Sequence, residues 1–119
     1  MDVERLYLVW NADGGVRGGL KYLVDRMRGD DCSLCALTHG ALLERPAWKA
    51  RKREFDVPFV GLYRDRLTSE QADAIGGEVP CVLAGTSSGL VKVMGRQAID
   101  GCEGDLQRFV ERLRAAIAA

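Results

Sequence analysis

Val79-Pro-Cys-Val-Leu-Ala-Gly-Thr-Ser-Ser-Gly-Leu-Val-Lys-Val-Met94 decides how this chain is read. Val79 to Ala84 is an apolar run led by Pro80, whose missing N–H does least harm at the first residue of a strand. Thr86-Ser-Ser-Gly89 supplies turn residues. Leu90 to Met94 then returns with β-branched residues, so the stretch predicts a hairpin. Downstream, Leu106, Phe109, Val110, Leu113 and Ile117 hold a helical stripe that starts at Gly104-Asp105. A Pro-led strand, a hairpin and a closing amphipathic helix thus follow one another without interruption.

Upstream, Leu6-Tyr-Leu-Val-Trp10 predicts a buried strand ending at the turn cluster Asn11-Ala-Asp-Gly-Gly15. Val16, Leu20, Leu23, Val24 and Met27 share one face of a helix capped by Asp13 and stopped by Gly29. Gly14, Gly15, Gly18 and Gly19 weaken its start by up to ~1 kcal/mol each, which points to a close backbone approach there. Leu34 to Thr38 predicts a second strand, parallel to the first across a right-handed βαβ unit. Pro46 opens a helix to about Glu54, with Trp48 and Phe55 on its apolar side. Val57-Pro-Phe-Val-Gly-Leu-Tyr63 predicts a third strand. Thr68-Ser-Glu-Gln71 has capping-box spacing for a short helix to Ile75, which Gly76-Gly77 ends.

The totals fit one α/β domain over residues 1–119. Hydrophobic residues make up 47% and charged residues 29%, as in globular chains. With 17 basic and 17 acidic residues the net charge is +0, which argues against a dedicated nucleic-acid binder. The N-terminus lacks the basic and apolar regions of a secretory signal, and no apolar run reaches the ~20 residues that span a bilayer. The expected setting is cytoplasmic and reducing, without membrane partners. There the four cysteines are free thiols, a redox pair or metal ligands rather than structural bridges.

The order of elements, and above all the run from Val79-Pro80 through the hairpin to the last helix, resembles the thioredoxin-like superfamily. In that superfamily a proline, commonly cis, opens the strand before the hairpin and faces the active site. The resemblance implies a central sheet of about five strands flanked by helices, with residues 44 to 63 as an inserted helix and strand. Asn11-Ala-Asp13 together with Cys32-x-Leu-Cys-Ala-Leu-Thr-x-Gly40 is similar to a group of small bacterial proteins of this shape. Some of their relatives carry a GTPase label, which this chain does not support: it has no G-x-x-x-x-G-K-[ST] loop. It also departs from thioredoxins, whose C-x-x-C opens the helix directly after the first central strand. Here that place holds Ala12-Asp-Gly-Gly-Val-Arg17, and the C-x-x-C follows one helix later.

Three constellations could carry chemistry. Cys32-x-x-Cys35 is a candidate catalytic dithiol. Asp30-Asp31 just before it would raise a thiol pKa, and on a strand the two Cα atoms would stand ~10 Å apart, beyond disulfide reach. The plain alternative makes Cys35 a core residue and Cys32 a loop thiol. As a metal set, Cys32, Cys35 and His39 offer a single knuckle and would be spread along a strand, so no metal and no cofactor is expected. The third constellation sits beyond the strand C-termini, where open parallel sheets bind ligands. Asn11, Asp13, Arg17 and His39, with Pro80 and Cys81 approaching the same edge, form a candidate polar ligand pocket there. The plain alternative makes Asp13 a helix cap and His39 a solvated loop residue. The basic run Lys49-Ala-Arg-Lys-Arg53 beside Trp48 reads as the polar face of a surface helix, not a nucleic-acid patch.

Two functions follow. One is a thiol/disulfide redox protein using Cys32 and Cys35. The other is a non-redox binding module or small enzyme holding a small molecule or anion at Asn11, Asp13 and His39. A plain protein-interaction domain is a third, on the expectation that large apolar residues such as Trp48 stand exposed.

Overall fold

The structure is a computed structural model that describes residues 1–11, 33–38 and 44–118. It is a mixed α/β arrangement built on one four-stranded sheet in the order β2-β1-β3-β4. The strands are β1 (Val3–Trp10), β2 (Phe59–Tyr63), β3 (Cys81–Thr86) and β4 (Gly89–Met94). Five helices lie among the described residues: α1 (Ser33–Thr38), α2 (Pro46–Lys52), α3 (Ser69–Ile75), α4 (Arg96–Asp100) and α5 (Leu106–Ala118). β1 runs parallel to β2 and antiparallel to β3, and β3 is antiparallel to β4.

β1 and β3 occupy the middle of the sheet, which explains their unbroken apolar runs: a strand covered on both faces does not alternate. Leu6, Leu8 and Trp10 point with Val82 and Ala84 into the larger core, against Leu34 of α1, Trp48 of α2, Ile99 of α4 and Phe109 of α5. Val9, Cys81 and Leu83 point the other way and meet Ile75 of α3. The hairpin and the closing helix stand where the sequence places them. Asp105 Oδ1 starts α5 by accepting the Gln107 N–H at 3.0 Å.

α3 carries both predicted signals. Thr68 Oγ1 accepts the Gln71 N–H at 3.2 Å, and Gln71 Oε1 accepts the Thr68 N–H at 2.9 Å. At its other end Gly76 turns left-handed at φ 70°. Lys92 Nζ donates to the Ile75 carbonyl at 2.7 Å, placing a cation where the helix dipole is negative.

Residues 34–38 are not a strand. They form α1, with Leu34, Leu37 and Thr38 buried. That spacing is the i, i+3, i+4 of a helix face. A short apolar run fits either period, and here tertiary burial selects the helical one. The parallel partner of β1 is therefore Phe59–Tyr63, in the register Leu6↔Phe59 to Trp10↔Tyr63. Residues 44 to 63 are accordingly no insertion, because α2 belongs to the crossover and β2 to the central sheet. Among the described residues the sheet has four strands rather than about five. α4 is a further helix that the sequence reading lacks. The predicted helix from Asp13 to Gly29 lies outside the described residues.

Two aromatic groups organise the larger core. Trp48 is 1% exposed and meets Phe59 and Phe109 edge-on, at centroid distances of 5.2 and 5.8 Å. It is thus a core residue and not the exposed anchor that an interaction domain would use. Trp10 lies across Gly61, and a Cβ built there would fall 2.1 Å from Trp10 Cη2. Glycine in β2 is the gap that admits the indole.

Candidate functional site

The parallel pair β1/β2 brings its two C-terminal ends together. Trp10 pairs with Tyr63, so Asn11 and Arg64 leave the sheet side by side. Arg64 Nη1 donates to Asn11 Oδ1 at 2.7 Å. Asn11 was expected at this edge, whereas Arg64 falls in what the sequence offers only as a turn, Arg64-Asp65-Arg66. The signal that finds it is the ligand-edge rule applied to the correct parallel partner.

β3 enters the sheet at the same edge, since Cys81 pairs with Val9. The Val79–Pro80 peptide is cis, and Pro80 is buried. Cys81 itself is fully buried in the smaller core, on the α3 side of the sheet. Burial pushes its thiol up to about 11, with nearby Lys92 pulling slightly the other way. A thiol held protonated at neutral pH is a poor nucleophile. Cys81 thus borders the candidate edge in register but turns its sulfur into the core. Cys102 is likewise free and buried, its thiol raised by burial against the lowering pull of Arg112.

α1 packs behind this edge. Its last residue, Thr38, is a fully buried polar side chain. Thr38 Oγ1 accepts a hydrogen bond from Trp10 Nε1 at 3.3 Å and donates one to the Leu34 carbonyl at 3.0 Å. The end of β1 is thereby fastened to the helix that carries Cys35. Cys35 is the third residue of α1, and α1 begins one residue after Cys32. Cys32, Asp13, Arg17 and His39 lie outside the described residues.

The basic run on α2 is partly neutralised within the chain. Lys52 Nζ reaches Glu44 Oε1 at 2.6 Å, and Arg51 Nε reaches Glu54 Oε2 at 3.0 Å. This fits the polar face of a surface helix. Among the described residues no three His, Cys, Asp or Glu side chains are grouped to hold a metal ion, and no helix is long and apolar enough to cross a membrane. A cavity of about 620 Å³ opens at the opposite end of the sheet, lined by residues including Asp2, Glu4, Phe55, Asp56 and Arg114. Arg114 lies 4.4 Å over the Phe55 ring there. None of the predicted site residues borders it.

No protein-family model, no curated protein and no solved structure matches the chain.

Proposed function

We propose that this protein is a thioredoxin-like thiol/disulfide redox protein working through Cys32 and Cys35. The observation that carries this reading is the helical placement of Cys35, on a helix that begins immediately after Cys32. A C-x-x-C running along a strand would separate its Cα atoms by ~10 Å. A helical turn would instead set Cα atoms three residues apart at ~5 Å, inside the Cα range a disulfide spans. Further support comes from the frame around it. A parallel β1/β2 pair is followed by the Pro80-led hairpin and a terminal helix, the order of elements on which the resemblance rests. Cys81 and Cys102 are buried thiols, which leaves the C-x-x-C as the pair suited to exchange.

The reaction is thiol–disulfide exchange with a protein or low-molecular-weight disulfide. One thiolate of the pair attacks a substrate sulfur, forming a mixed disulfide and releasing the first substrate thiolate. The second thiolate then attacks the mixed disulfide, closing the Cys32–Cys35 bond and releasing the second. The protein loses two electrons and two protons, and the substrate disulfide gains them. Peptide mapping by mass spectrometry after incubation with glutathione disulfide tests this. A Cys32–Cys35 linkage that also disappears on adding a disulfide reductant is expected, and absence of any such linkage refutes the reading.

The Arg64–Asn11 contact favours a second reading, a binding module whose polar edge holds a small anion. Titration with inorganic phosphate, followed by NMR of labelled Asn and Arg side chains, separates the two. Saturable shifts at Asn11 and Arg64 without any disulfide chemistry would favour binding.

A further inference from the structure

We infer that the cavity at the far end of the sheet binds an aliphatic polyamine, a chain of ammonium groups joined by methylene spacers; this stands apart from the dithiol reading. The cavity measures about 620 Å³, within the ~300–1,000 Å³ of small-molecule sites. The start of β1, the loop after α2 and the last turns of α5 border it. Its floor is apolar: Phe55 is buried, and Val57 and Ile117 are partly buried against the larger core. Its rim is acidic. Asp2, Glu4 and Asp56 stand exposed there, and none of them has an ion pair or a side-chain hydrogen bond among the described residues.

Two observations select the ligand. The first is Arg114, whose guanidinium carbon lies 4.4 Å over the Phe55 ring while Nη2 stands 3.9 Å from Glu54 Oε2. A cation on an aromatic floor beside a carboxylate is therefore an arrangement this cavity already accommodates. One guanidinium there faces four carboxylates, so the side-chain charge stays negative. The second is how that charge is distributed. Among the described residues no three carboxylate, His or Cys side chains gather closely enough to hold a metal ion. The acids are spread around the apolar floor, and a compact cation meets too few of them at once. A chain of separated ammonium groups reaches several, and its methylene spacers cover Phe55 and Ile117.

The test is isothermal titration calorimetry of the full-length protein with spermidine at low salt. Saturable binding to one site is expected, weakening as sodium chloride is added. Glu4→Gln and Asp56→Asn should each weaken it about 1.5-fold to fivefold, the range of one exposed ion pair. Arg114→Gln should tighten binding, because it removes the competing cation from Phe55; a damaged fold does not produce a gain. Arg108→Gln makes the same charge change on α5 outside the cavity, and it should leave the affinity unchanged. Magnesium chloride and a neutral diol of the same chain length should give no saturable heat at the same concentrations. Absence of saturable binding at millimolar spermidine overturns the inference. So do equal effects of Arg108→Gln and Arg114→Gln, which would reveal general charge attraction, and magnesium binding as tight as that of spermidine, which would show that a compact charge suffices.

Discussion

Gly61→Ala is the sharpest perturbation of the sheet edge that holds Trp10. The added Cβ would sit 2.1 Å from Trp10 Cη2 and 2.3 Å from Cζ3, far inside van der Waals contact. The indole must move, and it is 9% exposed, packed on Tyr63 and hydrogen-bonded to Thr38. Overpacking of this kind costs about 1–3 kcal/mol. Breaking the Trp10–Thr38 bond costs about 0.5–1.5 kcal/mol more. Alanine returns about 0.4–1 kcal/mol by restricting the unfolded chain. The net expectation is a loss of about 0.5–4 kcal/mol, at roughly 4 °C of Tm per kcal/mol for this chain length. Urea unfolding followed by circular dichroism measures the loss. Tryptophan emission identifies the residue when Gly61→Ala is compared with Gly61→Ala/Trp10→Phe, since Trp10 and Trp48 are the two tryptophans of the chain. The cycle with Trp10→Phe should show coupling of about 0.5–3 kcal/mol, the smaller ring relieving the clash. A Gly61→Ala protein as stable as wild type, with unshifted emission, would refute the claim that glycine is there to seat the indole.

Cys81 makes stability depend on alkaline pH. Its thiol stands at about 11 when folded, against 9.0 ordinarily. Below pH 9 both states hold the proton and nothing is lost. Between about 9 and 11 the unfolded state alone ionises, so stability falls, by on the order of 3 kcal/mol across the window. Cys81→Ala should flatten that part of the stability–pH curve measured by urea titration, and an unchanged slope would show that burial does not hold the thiol protonated. Trp48→Ala should cost about 3–5 kcal/mol in the same unfolding assay, since the ring meets Phe59 and Phe109 with 1% exposure; a loss below 1 kcal/mol would mean that Trp48 is a surface residue. Thr68→Ala should cost about 1 kcal/mol by deleting the acceptor of the Gln71 N–H, while Thr68→Ser should recover most of it.

The hairpin, the capping box and the last helix were legible because each is specified locally. Pro80, Thr68, Gln71 and the Leu106–Ile117 stripe announce themselves within a few residues of where they act. What the sequence hid was set at long range. Leu34-Cys-Ala-Leu-Thr38 is too short for its period to settle strand against helix, and the deciding fact is that positions 34, 37 and 38 meet the β1 face. Arg64 sits in a turn by composition and joins Asn11 only because β1 pairs in parallel with β2, across a crossover of nearly fifty residues. These two gaps have one origin. Reading 34–38 as a strand takes the place of β1's parallel partner, relegates Phe59–Tyr63 to an insertion, and stretches Cys32 and Cys35 along an extended backbone. Once burial makes 34–38 a helix, the same correction restores β2 to the sheet, sets Arg64 beside Asn11 and takes Cys35 off an extended backbone. The topology of this chain and the chemistry open to it therefore turn on the same five residues.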